Sequence, residues 1–451
     1  MDNILNEIES QTEIDKISFK EIRIWSFLRN DIFFNHALKK EGFKSKQSKK
    51  ILFLLKTSLL GLLNLLKLRN YNYFIFTNAQ KRFQINGSLQ EIFFEPVADY
   101  LGQNKVLFIE KVLYGMENKV HSKNRMAEIP FFLISTLVGY IISYVNRKKF
   151  DECYSSLKNE LEPYDLNFEI RGYLCKRLGQ YYFFNWLFKH LNLKAVFLIC
   201  SYGKVPLILA ARHNGIRVIE YQHGIIARSN PFYFPHSKFE PEYYPNTLYS
   251  FGNDILEFQE DKSFLDFEKV FPLGNYYISH VKHNNDILTR VQSKIGEFEK
   301  VLCVSFQGIF EEELAELIRL NSDKNHNWLF ILRPRPNSDL ILLDKLKSFN
   351  VIFWDEISIY EALLIADYNI TIYSTTAIDA LFLGAQNILL NIRELSTRYL
   401  DMSKMNPILL ENIELIHLNG HGENLANVDV NYYYTEFNLK RLKSAVDDSI
   451  S

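Results

Sequence analysis

Three short stretches of this chain hold side chains able to do chemistry together. The first is Gln222-His223-Gly224, set where the β-prone run beginning at Val218 stops. A histidine with an ordinary pKa of about 6.5 can take a proton from an attacking hydroxyl. A neighbouring glycine lets backbone approach a ligand closely. The plainer reading is a turn that happens to contain a histidine. The second stretch is "ILRPRPNSD", Ile331 to Asp339. Arg333 and Arg335 lie two apart, so an extended backbone puts them on one face, and the intervening proline restricts their freedom. A guanidinium fork matches phosphate geometry; a solvated surface loop is the competing reading. The third is "DYNITIYSTTAIDALFLG", Asp367 to Gly384. It delivers Ser374, Thr375 and Thr376 to a predicted helix N-terminus, where hydroxyls and free N–H groups make an anion site or simply cap the helix.

Strand ends must position these groups. "YNYFIFTN", "KVLFIEK", "KAVFLICSY" and "IRVIEYQ" read as strands, separated by helical stretches such as "IFFEPVADYLG" and "VPLILAARHNG". Residues 1–70 read as helical. After an aromatic, proline-rich loop from Asn230 to Asn246, short strands resume. A second strand–helix series, from "KVLCVSF" to "NILLNI", follows Gly274. Such alternation implies parallel sheets with right-handed crossovers. The expected fold class is therefore α/β, with two Rossmann-like domains facing a central cleft and a helical N-terminal extension. The expected divisions are residues 1–70, 71–274 and 275–451. Ligands bind at the C-terminal edges of such sheets.

Composition narrows the classes. At 451 residues the chain exceeds one ordinary core. Lys plus Arg number 52 and Asp plus Glu 53, for a net charge of −1. That balance argues against a nucleic-acid binder. Cys153, Cys175, Cys200 and Cys303 show no CxxC spacing, so neither a zinc site nor a disulfide framework is expected. No Asp-x-Asp occurs, so no metal-held diphosphate and no metal cofactor are expected. The polar, acidic N-terminus does not read as a secretory signal, which favours a cytoplasmic protein.

Two segments raise the question of a membrane. Lys44–Arg69 holds seven basic residues, no acidic one and many leucines, and reads as a basic amphipathic helix. Its leucines would face either an anionic leaflet or the protein's own core. Ile129–Val145 is apolar for 17 residues, followed by Arg147, Lys148 and Lys149. At that length a buried or interfacial helix is favoured over a span.

Taken together, the motifs resemble those of GT-B glycosyltransferase-like proteins of bacterial capsule and O-antigen synthesis. "VIEYQHG" resembles their strand followed by Gln-His-Gly, and "FTNAQKRFQINGS" (Phe76–Ser88) is similar to their first N-domain loop. "ILRPRP" stands where a Lys-Leu-His-Pro-like motif is found, and "YSTTAIDALFLG" looks like their Ser/Thr-rich helix start. Related motifs occur in CDP-glycerol glycerophosphotransferases and in His-Pro-motif sialyl and Kdo transferases. The chain departs from the pattern at Arg335-Pro336, where His-Pro is usual; arginine binds phosphate but does not cycle protons.

The resemblance implies an acceptor domain over residues 71–274 and a donor domain over 275–451. It implies a transferase using a nucleotide-sugar, CMP-sugar or CDP-glycerol donor, without metal or other cofactor. The acceptor would be a lipid-linked glycan at the inner face of the cytoplasmic membrane. His223 would act as base or would bind the donor's charged group. Arg333, Arg335, Ser374, Thr375, Thr376, Gly224 and Gln222 would hold the donor, with Asp379 and Glu361 as candidate ribose partners. Glu95 and Asp99, one helical turn apart, form a rival base pair. Two other functions stay open: a CDP-glycerol-type polyol-phosphate transferase, and a non-catalytic membrane-associated scaffold with a degenerate fold.

Overall fold

The computed structural model describes residues 4–40, 67–78, 82–85, 87–112, 124–164, 166, 168–292, 295–296, 298–335, 338–354, 356–418 and 428–451. Most of the basic Lys44–Arg69 segment, residues 79–81 and 86 of the first loop, and Pro336 lie outside the described residues.

Two parallel sheets organise the chain. The first has seven strands: β1 (Tyr73–Asn78), β2 (Val106–Lys111), β3 (Arg125–Ala127), β4 (Ala195–Ile199), β5 (Arg217–Tyr221), β6 (Thr247–Ser250) and β7 (Lys269–Pro272). Their order is β7-β6-β5-β4-β1-β2-β3. The second sheet has six: β8 (Lys300–Ser305), β9 (Trp328–Arg333), β10 (Val351–Phe353), β11 (Tyr368–Thr371), β12 (Gln386–Leu390) and β13 (Ile408–Leu410). Their order is β10-β9-β8-β11-β12-β13. Central strands such as Phe74–Phe76 and Val301–Val304 are buried on both faces, as strands covered by helices on each side must be. This is the expected α/β architecture of two Rossmann-like domains in a GT-B-like arrangement. The order reverses between β1 and β4 in one sheet and between β8 and β11 in the other, and such switch points open a crevice at the strand C-termini.

Some elements differ from expectation. The first 40 residues carry helices Ile4–Gln11 and Trp25–Lys40 with a small hairpin, Ser18–Phe19 against Ile22–Arg23, between them. Two-residue strands are too short to leave a periodic pattern. A second hairpin, Arg82–Ile85 with Ser88–Glu91, forms the loop after β1.

The chain crosses back at its end. Helix Leu439–Ile450 follows the second sheet in sequence but packs on the first. The Tyr249 hydroxyl donates to Ser449 Oγ at 3.0 Å, and the Tyr100 hydroxyl donates to Asp447 at 2.7 Å. The extended segment leading there, Thr435 to Phe437, passes Gly274, whose φ is +72°. A Cβ at Gly274 would sit 1.9 Å from the Thr435 carbonyl oxygen, so only glycine fits. One apolar cluster, including Phe93, Tyr277, Tyr360, Phe382 and Tyr434, runs through both domains and floors the cleft.

Candidate functional site

The cleft contains a cavity of about 290 Å³ at the C-terminal ends of both sheets. From the first domain it is lined by Phe83, Phe93 and His223; from the second by Ser305, Arg333 and Arg335, and by Ser374, Thr375, Thr376 and Asp379. Three motifs separated by up to about 150 residues thus share one wall-to-wall space. A larger cavity of about 680 Å³ adjoins it through Phe83 and Arg333, with Arg82, Arg290 and Glu361 on its surface.

β5 ends at Tyr221, and the next three residues turn towards the second domain. Gln222 does not face the cavity. It is 1% exposed, donates from Nε2 to the Gly224 carbonyl at 2.9 Å, and accepts from the Phe251 N–H at 2.7 Å. Its expected donor contact is therefore replaced by bracing of the loop. Gly224 meets the other wall: a Cβ there would lie 3.5 Å from Thr375 Oγ1, an ordinary contact.

His223 is half-buried, and its Nε2 is 2.9 Å from the Tyr202 hydroxyl. Tyr202 stacks on Phe232 at 4.5 Å between ring centroids. Burial pushes the Tyr202 phenol well above its ordinary pKa, so it stays a hydroxyl. Beneath it lies Glu220, fully buried, accepting from the Ser201 N–H at 2.8 Å and the Tyr233 hydroxyl at 2.7 Å. Burial raises its pKa to about 7. Cys200, in the same turn, adopts φ +65°, a conformation costly for a residue with a Cβ. Sequence reasoning missed Tyr202 and Glu220. The one signal was that "KAVFLICSY" ends beside the strand that carries His223.

The opposite wall is built differently. β9 carries Arg333 and leads directly to Arg335. Arg333 is half-buried and donates from Nη1 to the Trp354 carbonyl. Arg335 is exposed on the cleft side yet ringed by protein, and this partial desolvation lowers its pKa from the ordinary value. The hydroxyl turn is fixed from below. Ser305 Oγ donates to Asn369 at 2.9 Å, Asn369 donates to Asn387 at 2.9 Å, and Asn387 donates to the Ala377 carbonyl at 2.8 Å. Gln307 accepts from the Tyr373 N–H at 3.1 Å. The helix Thr376–Leu383 then starts at the cavity. Thr376 Oγ1 is buried there with no hydrogen-bond partner, a costly state that an incoming acceptor or donor would relieve.

The rival carboxylates do not reach the cavity. Glu95 is buried against Arg125, which also holds Glu110, and Glu110 pairs with Arg82. Asp99 accepts from Gln103 Nε2 at 2.9 Å on the surface. Glu95 is thus committed to an ion-pair network under the first-loop hairpin. Glu361 closes a capping box with Ser358 and pairs with Arg290, on the rim of the larger cavity. Among the described residues no group of three or more His, Cys, Asp or Glu is placed to hold a metal ion.

No protein-family model matches the chain, and no curated protein sequence does. Solved structures align over most of it at low similarity. The calicheamicin glycosyltransferase CalG4 gives a TM-score of 0.48 at 12% identity, covering 84% of this chain and 98% of its own. The UDP-GlcNAc 2-epimerase of Neisseria meningitidis gives 0.45 at 11%, covering 84% and 98%. The wall teichoic acid polymerase TagF gives 0.44 at 12%, covering 88% and 97%. Likeness at this level carries no functional weight, and the fold rests on the sheet topology itself.

Proposed function

We propose that the protein is a metal-independent glycosyltransferase. It moves a sugar from a nucleotide-activated donor to a growing, lipid-linked surface polysaccharide at the cytoplasmic face of the membrane. The observation that supports this reading is one cavity that sets an imidazole from the first domain against two guanidinium groups and a hydroxyl-lined helix start from the second.

The chemistry follows from that opposition. An acceptor hydroxyl attacks the anomeric carbon of the donor. The bond from that carbon to the phosphate oxygen breaks, and His223 takes the hydroxyl proton. Negative charge grows on the leaving phosphate, where Arg333 and Arg335 neutralise it and Ser374, Thr375 and Thr376 hydrogen-bond it. Tyr202 holds the His223 ring. Within residues 275–451 the second sheet and its loops supply the donor wall in this reading, and Asp379, which lines the same cavity, contacts the ribose or sugar.

Thermal shift with a panel of UDP, GDP, CMP and CDP tests the reading. Stabilisation by UDP, GDP or CMP that is lost in Arg335→Ala is the expected result. Stabilisation by CDP alone, with turnover of CDP-glycerol, transfers the site to polyol-phosphate chemistry. No response to any nucleotide leaves the degenerate scaffold as the function.

A further inference from the structure

The helix Ile129–Val145 is held to the protein by a narrow seam. It packs on helix Ile170–Lys189 through small residues. A Cβ at Gly139 would lie 2.2 Å from the Cys175 carbonyl oxygen, and one at Gly179 would lie 2.0 Å from the Ser135 carbonyl oxygen. The two backbones therefore touch, which is how helices associate where apolar surroundings give no hydrophobic drive to pack. Away from the seam the helix stays apolar. Leu133, Leu137, Tyr140, Ile141, Tyr144 and Val145 are each between 49% and 81% exposed. Their spacing places them along one side of the helix. A water-facing helix would carry charges there, and this one carries none from Ile129 to Val145.

Charge gathers at its ends instead. Arg147, Lys148 and Lys149 begin the next helix and are exposed. The nearby carboxylate of Asp151 is engaged by Arg171 at 2.8 Å and Arg147 at 3.6 Å. Lys176 stands 4.3 Å from the Phe132 ring centroid. Two tyrosines on the exposed face suit the polar–apolar boundary of a bilayer. At 17 residues the helix spans about 25 Å, short of the roughly 30 Å hydrocarbon core. Among the described residues no single helix is long and apolar enough to cross a membrane.

We propose that this face is a membrane-docking surface: the helix lies in the plane of an anionic leaflet, with its apolar side in the lipid and Arg147, Lys148 and Lys149 on the headgroups. The inference deepens the transferase reading by naming the surface that meets a lipid-borne acceptor. It is measured without turnover or nucleotide, so the two fail separately.

The test is co-sedimentation of the full chain with phosphatidylglycerol–phosphatidylcholine vesicles and with phosphatidylcholine vesicles alone. Wild type should pellet with the anionic vesicles. Leu137→Asp/Ile141→Asp should lower the affinity by roughly tenfold or more with an unchanged melting temperature. Should that pair disturb folding, Arg147→Gln/Lys148→Gln/Lys149→Gln changes only exposed groups and should weaken anionic binding by on the order of tenfold or more. Wild type that stays in the supernatant overturns the proposal. So does undiminished pelleting of both variants, with loss on changing Lys44, Lys46, Lys49 and Lys50 to Gln, which would move docking to the other basic segment. A concentration-dependent dimer that the aspartate pair dissociates, without vesicle binding, would give the face to a second copy.

Discussion

The two walls of the cleft are built on opposite plans. On the first-domain side most polar groups behind His223 bond to one another: Gln222 is spent at both amide ends, Tyr202 holds the imidazole, and Glu220 Oε1 accepts from Ser201 and Tyr233, while its Oε2 is buried without a hydrogen bond. On the second-domain side the turn is braced from beneath, but groups lining the cavity stay open. Arg335 faces solvent and Thr376 Oγ1 has no partner. A wall whose polar groups bond mostly to one another holds one side chain still. A wall with open donors receives a ligand. In the transferase reading the first orients a base and the second accepts an anion.

The comparison breaks most sharply at His223. His223→Ala should cut turnover by about 100-fold or more, the scale for a general base, while leaving nucleotide affinity and melting temperature nearly unchanged. Turnover within a few-fold of wild type would reduce the first wall to a structural turn. On the other wall, Arg333→Ala and Arg335→Ala should each weaken nucleotide binding by roughly 1.5–3 kcal/mol by calorimetry. Arg333→Ala should also lower stability, because Arg333 ties β9 to the Trp354 carbonyl. Arg335→Lys should rescue only in part, since an ammonium lacks the planar fork.

Smaller effects sharpen the contrast. Gln222→Ala leaves the Phe251 N–H and the Gly224 carbonyl without their partner. It should cost about 1–2 kcal/mol of stability in denaturant melts yet leave nucleotide affinity alone. A loss of nucleotide affinity without loss of stability would restore Gln222 as a donor ligand. The smallest effect concerns pH. Glu220 titrates at about 7 in the folded chain against an ordinary 4.5. Between those values the folded state holds a proton that the unfolded state has released, so stability falls as pH rises through that window. Glu220→Gln should flatten part of that decline in melting temperature between pH 5 and 8. Glu91 and Asp254, raised to about 7 and about 8 by burial, share the trend. An unchanged slope in Glu220→Gln would show that this acid does not titrate there.

Much of the candidate site is legible in the sequence because strand ends are local features. The runs around Val218 and Ile370 carry β-branched residues up to a polar break, and parallel strands put such breaks at one edge. His223, Arg333, Arg335 and Ser374–Thr376 stand out as candidates that way, and one cavity gathers them. Gln222 was misplaced because its neighbours in sequence gave no sign of the Phe251 N–H, 29 residues on. Glu95 and Asp99 share a helix face as their spacing predicts, but Arg125, 30 residues away, claims Glu95.

The sequence by itself determined the α/β class, the two strand–helix series and the main strands along the chain, because hydrophobic period and turn residues act over a few positions. It also determined that Ile129–Val145 is an uncharged apolar helix. The tertiary structure alone decided which side of that helix is covered, through the close seam at Gly139 and Gly179. It alone returned helix Leu439–Ile450 to the first sheet. It alone set Gly224 against Thr375. Each of these contacts joins residues far apart in the chain, and their formation depends on the packing of whole layers, which no local pattern of residue types encodes.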